Sequence, residues 1–190
     1  MRNEIEWIAS EQPTNIDQIK EFEIKSGYKF PKSYIDLMIK YNGATILNYI
    51  TSFKVYYKSG KMYPNTFGIG QFLAFGEESI SHITNLIDWC NDNNNRDENY
   101  PIPEFILPII YDGGGNYVCF DYRHDPKTDN PKVVFWFHEE AGCLEEGLEV
   151  YFIANSFDEF LDCLFDSRTE KEKVEDEISR KEYLEMFGSK

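Results

Sequence analysis

The chain has 190 residues, 42% hydrophobic and 16% aromatic, with 15 Phe and 13 Tyr; this length suits one domain, and the composition excludes a disordered polypeptide. Its 34 acidic and 19 basic residues give a formal net charge of −15. That sign argues against nucleic acid or an anionic membrane as a direct ligand, and it makes a basic protein the natural complement.

Thr14 precedes Asp17 by three residues, the spacing of a capping box, and Ile16, Ile19 and Phe22 follow at helical intervals up to Gly27. A second helix is predicted from Pro31, with Tyr34, Leu37, Met38 and Tyr41 on one face and Asn42-Gly43 as its close. Ser52 to Tyr57 reads as a strand. Met62 to Gly76, interrupted by Pro64, Gly68, Gly70 and Gly76, reads as loop with short extended pieces. Ile80, Ile83, Ile87 and Cys90 mark a third helix, and the polar run Asn91 to Asn99 marks a loop.

Strand signals then dominate. Phe105 to Tyr111 and Asn116 to Tyr122 flank the turn Asp112-Gly113-Gly114-Gly115, and Lys132 to His138 and Glu149 to Ala154 are two more strands. The short turns between them predict adjacency in one sheet. Ser156 with Glu159 has capping-box spacing ahead of an apolar face of Phe157, Phe160, Leu161, Leu164 and Phe165. From Arg168 to Phe187 the sequence is highly charged, with pairs such as Glu177 and Lys181 and a thin stripe of Val174, Ile178, Leu184 and Phe187. The predicted fold class is α+β: a largely antiparallel curved sheet with helices packed against it, plus a C-terminal helical extension. The expected division is a domain over residues 1–166 and an extension over residues 167–190.

Cys90, Cys119, Cys143 and Cys163 form no CxxC pair and each sits in an apolar pattern, so buried free thiols are expected. The opening Met1-Arg2-Asn3-Glu4-Ile5-Glu6-Trp7 has no apolar h-region, and no run approaches the ~20 apolar residues of a membrane span. The expected location is the cytoplasm.

Four blocks resemble the SUKH superfamily. The first is Phe22-Glu23, Gly27, Phe30-Pro31, Tyr34, Leu37 and Tyr41-Asn42-Gly43, with Phe30 in place of the commoner Leu. The second is Leu107-Pro108-Ile109, Asp112, Gly114-Gly115-Asn116, Cys119 and Asp121. The third is Val134-Phe135-Trp136-Phe137-His138-Glu139, and the fourth is Ala154-Asn155-Ser156-Phe157-Asp158-Glu159-Phe160-Leu161. The resemblance implies an α+β fold with a curved sheet. For bacterial members it implies immunity proteins paired with polymorphic toxins, many of them nucleases. A eukaryotic cell-wall and signalling regulator shares the fold, so a non-catalytic scaffold that binds an endogenous partner is the alternative role.

Catalysis is not indicated. His138-Glu139-Glu140 lacks a second His at HExxH spacing, and His82 and His124 lie far off in sequence. The Asp112 to Asn116 run lacks the Lys-Ser/Thr of a phosphate loop and is read as a hairpin turn in which Asp112 and Asn116 bond local backbone. Asp121, Asp125 and Asp129 fall in a Pro-containing loop, where a calcium site is disfavoured. A meeting of Asp112, Asp121 and Glu139 in space is left open. No metal, cofactor or enzymatic activity is therefore expected. Charge is more informative: Val133 to Ser167 contains no Lys or Arg and nine acids, Glu139, Glu140, Glu145, Glu146, Glu149, Asp158, Glu159, Asp162 and Asp166. Expected partner contacts are Glu139, Glu140, Glu145, Glu146 and Glu149, with Trp136, His138, Asp112 and Asn116. Under the resemblance, the partner is a cognate toxin, expected to be basic, and acidic side chains stand in for its substrate phosphates.

Overall fold

The computed structural model describes residues 2–56, 64–76, 102–138 and 150–187. The third helix predicted over Ile80 to Cys90, the loop Asn91 to Asn99, and Glu139 to Glu149 lie outside these residues. Along the described chain run β1 (Trp7–Ile8), α1 (Ile16–Ser26), α2 (Lys32–Lys40), β2 (Thr45–Ile46), β3 (Ser52–Tyr56), β4 (Pro64–Gly68) and β5 (Gln71–Phe72). They are followed by β6 (Ile106–Tyr111), β7 (Tyr117–Asp121), β8 (Lys132–Trp136), β9 (Tyr151–Ala154), α3 (Phe157–Asp162) and α4 (Glu170–Phe187). The fold is α+β, and every ladder among the described strands is antiparallel.

Helix α1 is capped one residue later than its sequence spacing suggests. Asn15 Oδ1 accepts from the N–H groups of Asp17 and Gln18 at 3.0 Å each, and Gln18 Oε1 accepts from Asn15 N–H at 3.2 Å. Thr14 instead donates its hydroxyl to Gln18 Oε1. Gly27 ends the helix at φ +80°, where a side chain would be strained, and its N–H reaches Glu23 O. In α2, Tyr34, Leu37 and Met38 are fully buried, as their spacing predicts.

The predicted adjacency of the four central strands holds. They form one sheet in the order β5-β6-β7-β8-β9, joined at its edge by β5, one of the short extended pieces of the Met62 to Gly76 stretch, whose place in this sheet the sequence did not indicate. Two boundaries move. Phe105 takes φ +62°, outside the strand region, so β6 starts at Ile106. Phe165 leaves the last apolar helix to exchange backbone bonds with Ser52, so α3 stops at Asp162. The stretch read as loop with short extended pieces holds two paired strands. β4 pairs with β3 through five residues, from Ser52 opposite Gly68 to Tyr56 opposite Pro64, and β5 pairs with β6. Phe67 explains the local choice: its ring lies 4.3 Å from Phe135 and 6.2 Å from Phe53, so burial of one aromatic holds a strand of poor intrinsic propensity.

The main core is aromatic. Tyr34 sits at its centre, ringed by Phe30, Phe72, Phe75, Phe120 and Phe157 at centroid distances of 5.1–6.5 Å. Each such side chain contributes about 1.5–3 kcal/mol by leaving water. The opposite face of the sheet carries a smaller cluster of Ile106, Cys119, Val134 and Trp136, with Tyr117, Ile102 and Val150 packed against it. Helix α4 is tied to the body at its start. Arg168 binds Asp166 and Asp176 and lies 3.2 Å over the Tyr49 ring. The ion pairs Lys171–Glu175 and Lys173–Glu170 run along it, while Val174 and Ile178 are exposed. Among the described residues no helix is long and apolar enough to cross a membrane.

Candidate functional site

The site lies where the β6–β7 turn meets the end of β8. Five residues connect Tyr111 to Tyr117, and Gly113 and Gly115 adopt φ +85° and +99° there. The Asp112 carboxylate organises the turn: Oδ1 accepts from Gly114 N–H at 2.7 Å and from Asn116 N–H at 3.0 Å. These are the local backbone bonds expected of a turn aspartate.

Asn116 goes further than a turn residue. It is 5% exposed, and its Nδ2 donates to Asp112 Oδ2 at 2.6 Å. A carboxylate only accepts, so the amide nitrogen faces Asp112 and Oδ1 is turned the other way. Oδ1 meets His138 twice, accepting from its backbone N–H at 3.1 Å and lying 2.7 Å from Nδ1. Because Oδ1 cannot donate, Nδ1 carries the proton. Aspartate, asparagine and histidine thus form a relay that fixes the tautomer and position of the imidazole. Gly115 leaves room for it: a Cβ on that residue would lie 3.1 Å from His138 Nδ1 and 3.2 Å from Cε1.

An aromatic row borders this relay on the sheet's second face. Tyr111 is registered opposite Tyr117, and Tyr117 opposite Trp136. Ring centroids are 5.7 Å and 5.9 Å apart along the row. Tyr111 is 38% exposed and Trp136 only 3%, so Trp136 backs the row rather than presenting a face. Its Nε1 has no hydrogen-bond partner among the described residues.

The sheet separates its charges end from end. Arg123 and Lys132 stand at the far end of β7 and β8, where Arg123 grips Asp121 through Nη2 at 2.7 Å and Nε at 2.9 Å. Burial pushes the Asp121 carboxyl up, but the hydrogen bonds and charge of Arg123, with Lys132 nearby, outweigh it and hold the group below its ordinary range. A cleft of about 610 Å³ opens there between Asp121, Arg123, Thr128 and Lys132. At the near end cations are missing from the sequence on both sides. Asp97 to Tyr122 contains no Lys or Arg, and neither does Val133 to Ser167. The first of these stretches gains its meaning only once the β7–β8 register brings the β6–β7 turn beside the end of β8.

Asp112 and Asp121 flank opposite ends of β7 and do not converge. Among the described residues no group of three or more His, Cys, Asp or Glu is arranged to hold a metal ion. Cys119 is buried as expected, whereas Cys163, at the end of α3, is exposed; Cys90 and Cys143 lie outside the described residues.

The sequence signature of the SMI1 / KNR4 family (SUKH-1) matches residues 13–163. The chain belongs to this family. It is also 29% identical over 179 residues to the SPbeta prophage-derived uncharacterized protein YokK of Bacillus subtilis (strain 168), an alignment that covers 90% of this chain and 83% of YokK. Within the SUKH-1 frame, the Phe-Glu and Asn-Gly blocks are structural. Glu23 accepts from Phe30 N–H at 2.7 Å and holds the turn into α2. Asn42, 2% exposed, donates to Gln12 O and Phe75 O at 2.8 Å and accepts from Phe75 N–H at 2.9 Å. It joins three chain segments, a role its place beside a glycine gave no reason to expect.

Proposed function

We propose that this SUKH-1 chain is an immunity protein that binds a cognate toxin with a cationic groove, such as that of a nuclease, and neutralises it by occlusion in the cytoplasm without catalysis. The observation that carries this reading is that the two stretches meeting at the β6–β7 turn and the end of β8, Asp97 to Tyr122 and Val133 to Ser167, contain no Lys or Arg. There the Asp112–Asn116–His138 relay fixes the chain at the point where the segment bearing Glu139, Glu140, Glu145, Glu146 and Glu149 begins. Carboxylates grouped on one surface attract a cationic groove and speed its docking. The recognition unit in this reading is residues 1–166, with residues 167–190 as an extension. His138, Asn116 and Asp112 set the base of the acidic segment, and Trp136 supports them from within the sheet.

The test is co-expression with the toxin domain encoded by the adjacent gene, scored by survival and co-purification. The unaltered chain is expected to protect and co-purify. Changing the five glutamates to Lys is expected to leave folding intact and abolish both, because opposed like charges cost on the order of several kcal/mol at an interface. A folded charge-reversed chain that still protects and co-purifies would refute the reading.

A further inference from the structure

We infer that Tyr111, Tyr117 and Asp112 form a seat for an arginine side chain of the partner. The inference rests on the partner-binding reading above and specifies which group the partner inserts. Three observations lead to it. Tyr111, 38% exposed, heads an aromatic row whose other members are braced behind it, Tyr117 at 5.7 Å and Trp136 beyond at 5.9 Å. A half-exposed, braced ring offers a rigid π-face to a cation. The next residue, Asp112, accepts from three donors, which leaves about one of a carboxylate's four acceptor positions. Among the described residues Asp112 has no ion pair, and the sequence supplies no Lys or Arg anywhere along β6, the turn or β7.

The same combination is occupied elsewhere in the molecule. Arg168 lies 3.2 Å over the Tyr49 ring while its Nη2 and Nε bind Asp166. There the chain fills a tyrosine-and-aspartate seat with its own guanidinium; at Tyr111 and Asp112 no Lys or Arg of the described residues does so. A guanidinium suits the seat better than an ammonium, because it stacks on the ring with one plane and donates to the carboxylate from its edge.

The experiment titrates the intact chain with two capped peptides, hexa-arginine and hexa-lysine, by calorimetry and by NMR shifts of the Tyr111 region. Hexa-arginine is expected to bind more tightly. Tyr111→Leu is expected to weaken hexa-arginine by about 2–5-fold, the size of an exposed cation–π contact, and to remove the preference over hexa-lysine. Tyr111→Phe, which keeps the ring, should preserve both, and circular dichroism checks that each variant folds. Equal binding of the two peptides, indifference to Tyr111→Leu, or no binding of either overturns the seat. If binding ignores Tyr111 but disappears on charge reversal of the five glutamates, the seat fails and the acidic recognition surface stands. Chitohexaose serves as a control occupant, since aromatic rows also stack on sugars; its binding at Tyr111 in place of hexa-arginine likewise overturns the proposal.

Discussion

Replacing Asn116 by Ala removes the centre of the relay. Three side-chain bonds go: the one donated to the Asp112 carboxylate and the two accepted from His138. A bond to a charged group contributes about 1.5–3 kcal/mol and a neutral one about 1 kcal/mol. Asp112 and His138 are only partly buried, so water recovers some of this, and a net loss of about 2–3 kcal/mol is expected. With a urea slope of about 2–3 kcal/mol/M, the unfolding midpoint falls by roughly 1 M. Urea titration followed by circular dichroism measures the stability. The ring ¹⁵N shifts of His138 report the tautomer, which should lose its bias toward Nδ1–H. Gly115→Ala is a companion: the added Cβ, 3.1 Å from Nδ1 and at φ +99°, should shift the ring while leaving Asn116 in place. An Asn116→Ala midpoint within ~0.3 M of the parent, with unaltered His138 shifts, would refute the claim that this chain of bonds holds the imidazole.

Two other perturbations test the core and the start of α4. The Tyr34 hydroxyl is buried without a partner among the described residues, and burial pushes the phenol well above its usual range. Tyr34→Phe should therefore keep or raise the thermal midpoint, since an unsatisfied buried polar group costs about 1–3 kcal/mol; a clear fall in the midpoint would refute this. The hydrogen bonds from Arg168 hold the Asp166 carboxyl at about 2. Its folded value lies below the ordinary carboxylate value, so its contribution is present above about pH 4 and is lost as pH falls toward 2. Arg168→Ala should return the Asp166 titration, read from carboxyl ¹³C shifts, to the ordinary range; a curve unmoved by the substitution would count against the pair.

The central meander was legible because its strands are apolar runs separated by glycine-bearing or polar turns, so each neighbour in space is a neighbour in sequence. β4 was not, because its one strong apolar side chain, Phe67, gains its meaning from Phe53, Phe135 and Phe137. Local pattern also missed the positive φ of Phe105 and the backbone exchange of Phe165 with Ser52, both of which depend on distant chain. In the site, Asp112 and Asn116 were identifiable from their turn, and His138 from the strand block. Their connection required the β7–β8 register, which sets Tyr117 against Trp136 and so brings Asn116 to His138.

The borders of the sheets bear on solubility. A protein that displays tyrosines and a half-exposed Phe152 must keep its strands from zipping onto other copies. The five-stranded sheet is guarded at both sides. β5 has two residues and its Phe72 N–H is taken by Ala44 O, while β9 has four residues and lies beside β3. The hairpin's outer strand, β4, begins with Pro64, which has no N–H to offer a newcomer. Short, covered or proline-bearing edges, together with a charge of −15, keep backbone pairing between copies unfavourable. At the described edges of the five-stranded sheet and the β3–β4 hairpin, association through side chains is then favoured over strand pairing.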